Sequence, residues 1–502
     1  MTPASIRSRS IALSIATALS IAAPLSAQRG GQATRPQPRA LDRRVVPTAG
    51  KTPKLHVPAW SKSALSNGAR LIVSEKHGLP LVSFQINFVG GANQYEPAGK
   101  TGLAGLAASM LSEGTTYRTG DEISNALQLL GTSINTSIGA ESGRISFLST
   151  TDKLEPTLAI LADILRESTF PAEALERLKA RTVVTLTQNR DRTGGIAAVV
   201  FPKVLYTLEH PYGTSPTEAT VKSVTRDDAV SFYKSYFQPR HAVITVVGDV
   251  TEGQVRQMVE RVLGKAWVAG GSMPSFNYPS APQPKSTTIY LVDKPGAAQS
   301  TFAIGEVGPP RDTPDYYALR VMNEMLGVLF QSRLNHNIRE VKGYSYGVFS
   351  NYAFGRGPGP FRAGGDVVTA KTDSALIEFM KELRDIRGAR PPSDDEMAQA
   401  KASLVQSLPA MFASVSSVNN SIATIYMQDL PEDYYQQFAK AVNAVTKDDV
   451  VRVAQKYIDP DHLAIVIVGD RASIEDPLAA TKVAPIVRLD LDGNPVQSKT
   501  TP

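Results

Sequence analysis

Thr225–Asp249 reads TRDDAVSFYKSYFQPRHAVITVVGD, and Thr446–Asp470 reads TKDDVVRVAQKYIDPDHLAIVIVGD. The second stretch follows the first at a constant offset of 221 residues without a gap, and 11 of the 25 positions are identical. Unrelated segments would share about one or two, so the chain contains a duplication. Each copy opens on Thr-x-Asp-Asp, whose hydroxyl and carboxylates suit the unpaired N–H groups at a helix start. Tyr236 and Tyr457 fall near the helix end, and Gln238-Pro239 and Asp459-Pro460 break it. The β-branched runs Ala242–Val247 and Ala464–Val468 follow, each closed by Gly-Asp. The predicted unit is helix, turn and buried strand, made twice.

The flanks repeat the pattern. Leu81–Val89 and Ser300–Val307 read as strands, and Thr101–Leu111 and Tyr316–Leu326 as apolar helices after them. Phe170-Pro171 and Pro391-Pro392 precede long polar helices, and the Pro/Ser-rich Ser272–Lys285 joins the halves. Strand runs mixed with helix runs in halves of near 200 residues predict an α+β class. The organisation read from the sequence is a signal peptide at 1–27, a basic Pro/Gly-rich linker at 28–52 and an N-terminal domain at 53–271. An inter-domain linker at 272–287, a C-terminal domain at 288–476 and a tail at 477–502 complete it.

Composition narrows the function. The chain has 502 residues, no cysteine and a formal charge of +6. Lack of cysteine excludes disulfides, thiolate metal sites and a cysteine nucleophile. The charge is local: residues 1–50 hold seven arginines and one acid, and the other 452 hold 46 groups of each sign. A neutral body carries no broad basic footprint, so nucleic acid is not an expected partner. Arg7 and Arg9, the apolar Ile11–Ala23 and the small residues before Gln28 read as a secretory signal cleaved near Ala27. The expected location is periplasmic or secreted, with no stable membrane span after cleavage.

At this point the sequence resembles the M16 metallopeptidases, the insulinase, pitrilysin and mitochondrial processing peptidase family, from roughly Leu55 to Asp470. The resemblance rests on Leu111-Ser112-Glu113-Gly114-Thr115, on His210-Pro211-Tyr212-Gly213, on the repeated Tyr…Pro…Val-Gly-Asp and on Arg339-Glu340-Val341-Lys342-Gly343-Tyr344-Ser345-Tyr346. It implies two homologous LuxS/MPP-like αβ domains forming half of a clamshell. Active members of that family carry His-x-x-Glu-His on the first helix, two histidines on one face binding Zn²⁺ and a Glu activating water. Here the motif falls at Gly105, Ala108 and Ser109, and the further acidic ligand at Val184 or Thr185. The six histidines are His56, His77, His210, His241, His336 and His462, so no register of that helix restores the pair. The three small residues read instead as a face suited to close packing. His241 and His462, at equivalent repeat positions, read as structural, and His210 as a loop residue.

The resemblance also implies a substrate grip, an Arg and a Tyr seven residues apart, which Arg339 and Tyr346 match. A guanidinium offers a rigid fork of donors to peptide carbonyls, and a phenol adds one more. Tyr344 is the alternative, two residues earlier and on the same sheet face by alternation; the family pattern selects Tyr346. Phe349–Asp366, rich in glycine, reads as a mobile loop bordering a peptide channel. Its Gly-Arg-Gly-Pro-Gly is not followed by the Lys-Ser/Thr of a phosphate loop.

The expected function is that of a non-catalytic, substrate-binding subunit of a heteromeric periplasmic zinc endopeptidase, inactive as a single chain. The expected partners are an M16 subunit bearing His-x-x-Glu-His, which brings the Zn²⁺, and an extended peptide added as a strand to a sheet edge. No cofactor is expected on this chain. The alternative is a structural or peptide-binding M16-like protein without a role in proteolysis.

Overall fold

The two β-branched runs become the central strands of two sheets. The computed structural model describes residues 55–264, 267, 276 and 278–496. The expected signal peptide and basic linker, and residues 272–275 and 277 of the expected inter-domain linker, lie outside them. The first sheet contains β1 (Ser61–Ala64), β2 (Arg70–Glu75), β3 (Leu81–Val89), β4 (Asn135–Ile138), β5 (Ser142–Thr150) and β6 (Ala242–Gly248), in the order β1-β2-β6-β3-β5-β4. The second contains β7 (Thr288–Asp293), β8 (Gln299–Val307), β9 (Ser345–Tyr352), β10 (Pro360–Val368), β11 (Ala464–Gly469) and β12 (Ile486–Leu489), in the order β12-β7-β11-β8-β10-β9. The repeated runs are β6 and β11. Each lies parallel to one neighbour and antiparallel to the other. Both are buried along their whole length, which is why they read as unbroken apolar runs.

The helices before these strands start as predicted. Thr225 Oγ1 accepts from Asp228 N–H at 3.1 Å, and the Asp228 carboxylate accepts from Thr225 N–H at 2.8 Å. Thr446 and Asp449 make the same reciprocal pair at 3.1 and 3.0 Å. The hydrogen bond from Lys100, with the Thr225 N–H, holds the Asp228 carboxyl down to about 2.

The halves interlock through an exchange of helices. The Thr193–Tyr206 helix, which follows the first half's long helix, packs on β8 and β11 of the second sheet. Its Ile196, Val200, Phe201 and Leu205 bury against Val292, Ala303, Val466 and Val468. The Val415–Met427 helix does the converse and covers β3 and β6 of the first sheet. That contact has a polar centre: Asn419 Nδ2 donates to Ser83 O at 2.8 Å and Thr245 O at 3.1 Å, and Thr245 Oγ1 donates back to Asn419. One face of each sheet is therefore covered by the other half's helix.

Two expectations change. Phe349–Asp366 is a hairpin rather than a loop: β9 runs to Tyr352, β10 starts at Pro360, and only 353–359 turn. Its glycines permit close backbone approach, as where Gly364 lies beside Phe302. The segment after Pro477 is not all tail, because that proline sits inside the Arg471–Ala480 helix and β12 then joins β7 in parallel.

Candidate functional site

The Leu103–Met110 helix, between β3 and β4, is where the family's zinc ligands fall. Gly105 and Ser109 are four residues apart, share its exposed face and project outward, while Ala108 is 4% exposed and turns inward. A Cβ added at Gly105 would meet nothing within 4 Å. The expectation of a packed small-residue face is thus wrong for Gly105 and Ser109, and holds only for Ala108. The only side-chain donor group there, the Ser109 hydroxyl, is spent on Gly105 O at 2.9 Å. Val184 and Thr185 lie on the neighbouring Ala172–Asn189 helix, both exposed, and Thr185 Oγ1 donates to Arg181 O at 3.1 Å. No set of three His, Cys, Asp or Glu side chains fit to hold a metal exists among the described residues. The family's zinc does not fit this face, because every ligand position has lost its nitrogen or carboxylate.

Three of the histidines sit in structural contacts. His241 is buried, with Nδ1 3.1 Å from the Tyr95 hydroxyl, and burial lowers its pKa. His462 pairs with Asp459 at 2.8 Å. His210 opens the Pro211–Gly213 turn, its Nδ1 accepting from Tyr212 N–H at 3.1 Å.

Arg339 and Tyr346 do come together. Arg339 lies on a wide helical turn, Asn335–Val341, which ends at Gly343 with φ +65°, the left-handed conformation that glycine adopts freely. Tyr346 lies on β9, the edge strand of the second sheet. Opposite it the register slips: Asp366 faces Gly347 and Val367 faces Ser345, so Tyr346 is the extra residue of a β-bulge. A bulge breaks alternation and re-aims a side chain, and Tyr346 is turned out, 87% exposed. The Arg339 guanidinium stacks 5.1 Å from its ring centroid and 4.3 Å from that of Phe330, itself 58% exposed. Arg339 Nε also meets Glu340 at 3.1 Å. Tyr344 stands apart, half-buried, with Lys371 Nζ 5.8 Å from its ring. Phe330 carries no signal in the sequence beyond being aromatic.

The outer edge of β9 is not open past Tyr346. Val348 N–H donates to Asn335 Oδ1 at 2.9 Å, and Asn323 Nδ2 donates to Ser350 O at 3.1 Å. These side chains occupy backbone groups that a strand added to this edge would need. The glycine-rich turn beyond β9 binds an anion, but an internal one. Arg356 and Gly357 N–H donate to the Glu141 carboxylate at 2.7 and 3.0 Å, and Tyr212 of His-Pro-Tyr-Gly donates to it as well. Successive amides make an anion nest, here filled from the other half of the chain.

Two family models match: the insulinase (peptidase family M16) model over residues 72–197 and the M16 inactive-domain model over 223–404. A Bacillus subtilis protein named as an uncharacterized zinc protease YmxG is 24% identical over 57% of this chain and 68% of its own. A Helicobacter pylori protein named as a non-peptidase homolog YmxG is 21% identical over 80% of this chain and 92% of its own. Among solved structures, an M16 inactive domain from Pseudomonas fluorescens superposes with a TM-score of 0.75 at 24% identity, covering 82% of this chain and 98% of its own. The periplasmic protease PqqL of Escherichia coli superposes with a TM-score of 0.68 at 17% identity over 85% of this chain and 49% of its own. No helix among the described residues is long and apolar enough to cross a membrane. Duplicated sheets, a first helix without ligands and both family models agree: the chain belongs to the M16 peptidase family, as a member of its inactive type.

Proposed function

We propose that this chain is the substrate-gripping, non-catalytic subunit of a heteromeric zinc endopeptidase that works in the periplasm or outside the cell. A partner with His-x-x-Glu-His would bring the Zn²⁺ and the water-activating Glu. The observation that carries this reading is the exposed stack of Phe330, Arg339 and Tyr346, aimed outward by a bulge. A guanidinium held against two solvent-exposed rings is pre-organised, so less side-chain entropy is lost when it takes a peptide carbonyl. The Tyr346 phenol stands beside it as a second donor. Because Asn335 and Asn323 cap β9, the grip is made by side chains rather than by a new strand on that edge.

The test mixes the purified chain with a His-x-x-Glu-His M16 protein, sought first in the adjacent open reading frame, and follows a quenched peptide. Hydrolysis should require both chains. Arg339→Ala should cut kcat/KM of the complex by about 10- to 100-fold, the worth of a charge-assisted hydrogen bond, with co-elution unchanged. Loss of assembly instead would make Arg339 an interface residue, and unchanged activity would refute the grip. A second reading, a structural or peptide-binding protein with no part in proteolysis, draws support from the capped β9 edge. It is the outcome if the mixture hydrolyses no faster than the partner alone.

A further inference from the structure

A cavity of about 360 Å³ lies in the second half, between the Tyr316–Asn323 helix, the β9–β10 turn and the Val415–Met427 and Tyr434–Ala444 helices. That volume is in the range of small-molecule sites. Two arginines face into it. The Arg311 guanidinium lies 3.3 Å from the ring centroid of Tyr316 and 5.2 Å from that of Tyr434. Arg320 Nη1 donates to the Tyr316 hydroxyl at 2.9 Å. Neither arginine has an ion-pair partner among the described residues. The acid acting on Arg320 is Glu324, whose carboxylate accepts from Ser403 at 3.1 Å and is pushed toward its neutral form by burial. Partly buried positive charge without a counter-ion is costly, and proteins ordinarily pair it.

The rest of the lining tells what kind of anion fits. Leu408, Leu430, Phe354 and Phe438 give the lining apolar patches, while Ser407, Thr424 and Gln428 are polar members of it. Burial pushes the Tyr316 phenol up, yet Arg320 and Arg311 outweigh it and hold that group below its ordinary range, so the interior is electropositive. A large, fully hydrated polyanion has no use for those patches, whereas planar carboxylate suits a guanidinium fork.

We propose that this cavity binds a carboxylate carried on an apolar, preferably aromatic, body, with Arg311 and Arg320 taking the charge and the aromatic walls taking the body. Two sources share that chemistry: the C-terminus of a polypeptide ending in an aromatic residue, and a free small-molecule acid. The proposal goes beyond the grip at Arg339 and Tyr346 and does not depend on it.

Calorimetric titration of the full chain tests it with four probes: N-acetyl-L-phenylalanine, its amide, a hexapeptide ending in Phe, and that hexapeptide amidated. At least one acid should bind, with its amide weaker by tenfold or more. Arg311→Gln and Arg320→Gln should each weaken that acid by tenfold or more. Tighter binding of the hexapeptide acid than of N-acetyl-L-phenylalanine assigns polypeptide termini; the reverse assigns a small acid. Equal affinity for acid and amide, or no binding by either acid, overturns the proposal. Should Arg320→Gln fail to fold by circular dichroism, Arg311→Gln decides.

Discussion

The two halves share a sheet order and differ in what they expose. In the first, the Leu103–Met110 helix presents Gly105 and Ser109 to open space. In the second, the Tyr316–Asn323 helix is folded over a two-arginine cavity, and β9 presents Tyr346 beside Arg339. What repeats at the fixed offset serves as scaffold: the Thr caps and the central strands. Where the halves part company, side chains are left without a structural duty. Tyr236 and Tyr457 mark the boundary between the two kinds. The first is buried and donates to Gly90 O at 2.8 Å, while the second donates to Asp315, which Arg452 and Lys456 also hold. A duplicated fold thus shows its working parts where its symmetry fails.

The strongest break in the symmetry is Asn419, because its counterpart helix meets the centre of the other sheet with the apolar Ile196, Ala197, Val200 and Phe201 and makes a polar contact at its first residue, Thr193, with Thr301. Asn419→Ala removes its bonds to Ser83 and Thr245 and takes from the buried Thr245 hydroxyl the acceptor it donates to. It should cost about 2–4 kcal/mol in urea unfolding. A loss below 1 kcal/mol would mean that the two interlocks are equivalent after all.

A second break is Glu306. In strand register it stands where the first half has Phe88, since Phe84 faces Val246 as Phe302 faces Ile467. Phe88 sits among Tyr236, Phe237 and Trp267. Glu306 is buried instead, accepts from Asp459 N–H at 2.8 Å, and burial pushes its pKa up to about 8. An acid with a raised folded pKa leaves stability intact below its unfolded pKa of 4.5 and erodes it as pH climbs from there to about 8. The wild type should lose on the order of a few kcal/mol across that window, and Glu306→Gln should remove most of the slope. Denaturation at pH 5 and pH 9 reads it directly. A Gln variant as pH-sensitive as the wild type would place the titration elsewhere.

The smallest effect belongs to the bare face. Gly105 is helical and unobstructed, so Gly105→Ala should stabilise by about 0.5–1 kcal/mol in thermal melts. Destabilisation would show that something packs on that face in solution.

Much of this was legible beforehand because it rests on period and offset. The repeat located the central strands, and the lack of paired histidines on the first helix is itself a fact of sequence. The Arg339 and Tyr346 pair was readable only through family spacing, and strand alternation misjudged it, because no local signal announces a bulge at Tyr346. Glycines at 355–365 resembled a loop, since a strand that lets another backbone approach closely has the same composition as a flexible turn. Arg311, Arg320 and Phe330 were silent: the two arginines share their cavity with Tyr434 and Phe438, more than 100 positions away, and Phe330 has no periodic or spacing signal.

The exchanged helices carry a consequence for how the chain is made. Its first sheet is complete once β6 has been synthesised, yet its cover, the Val415–Met427 helix, lies almost 170 residues further on. At ordinary ribosomal speed that gap is roughly ten to thirty-five seconds. Through that interval a finished sheet face, apolar at Ile72, Val243 and Val247, awaits its own C-terminal half, so biosynthesis of this molecule should lean on holding chaperones, and a ribosome stalled between the two elements should release an aggregation-prone fragment.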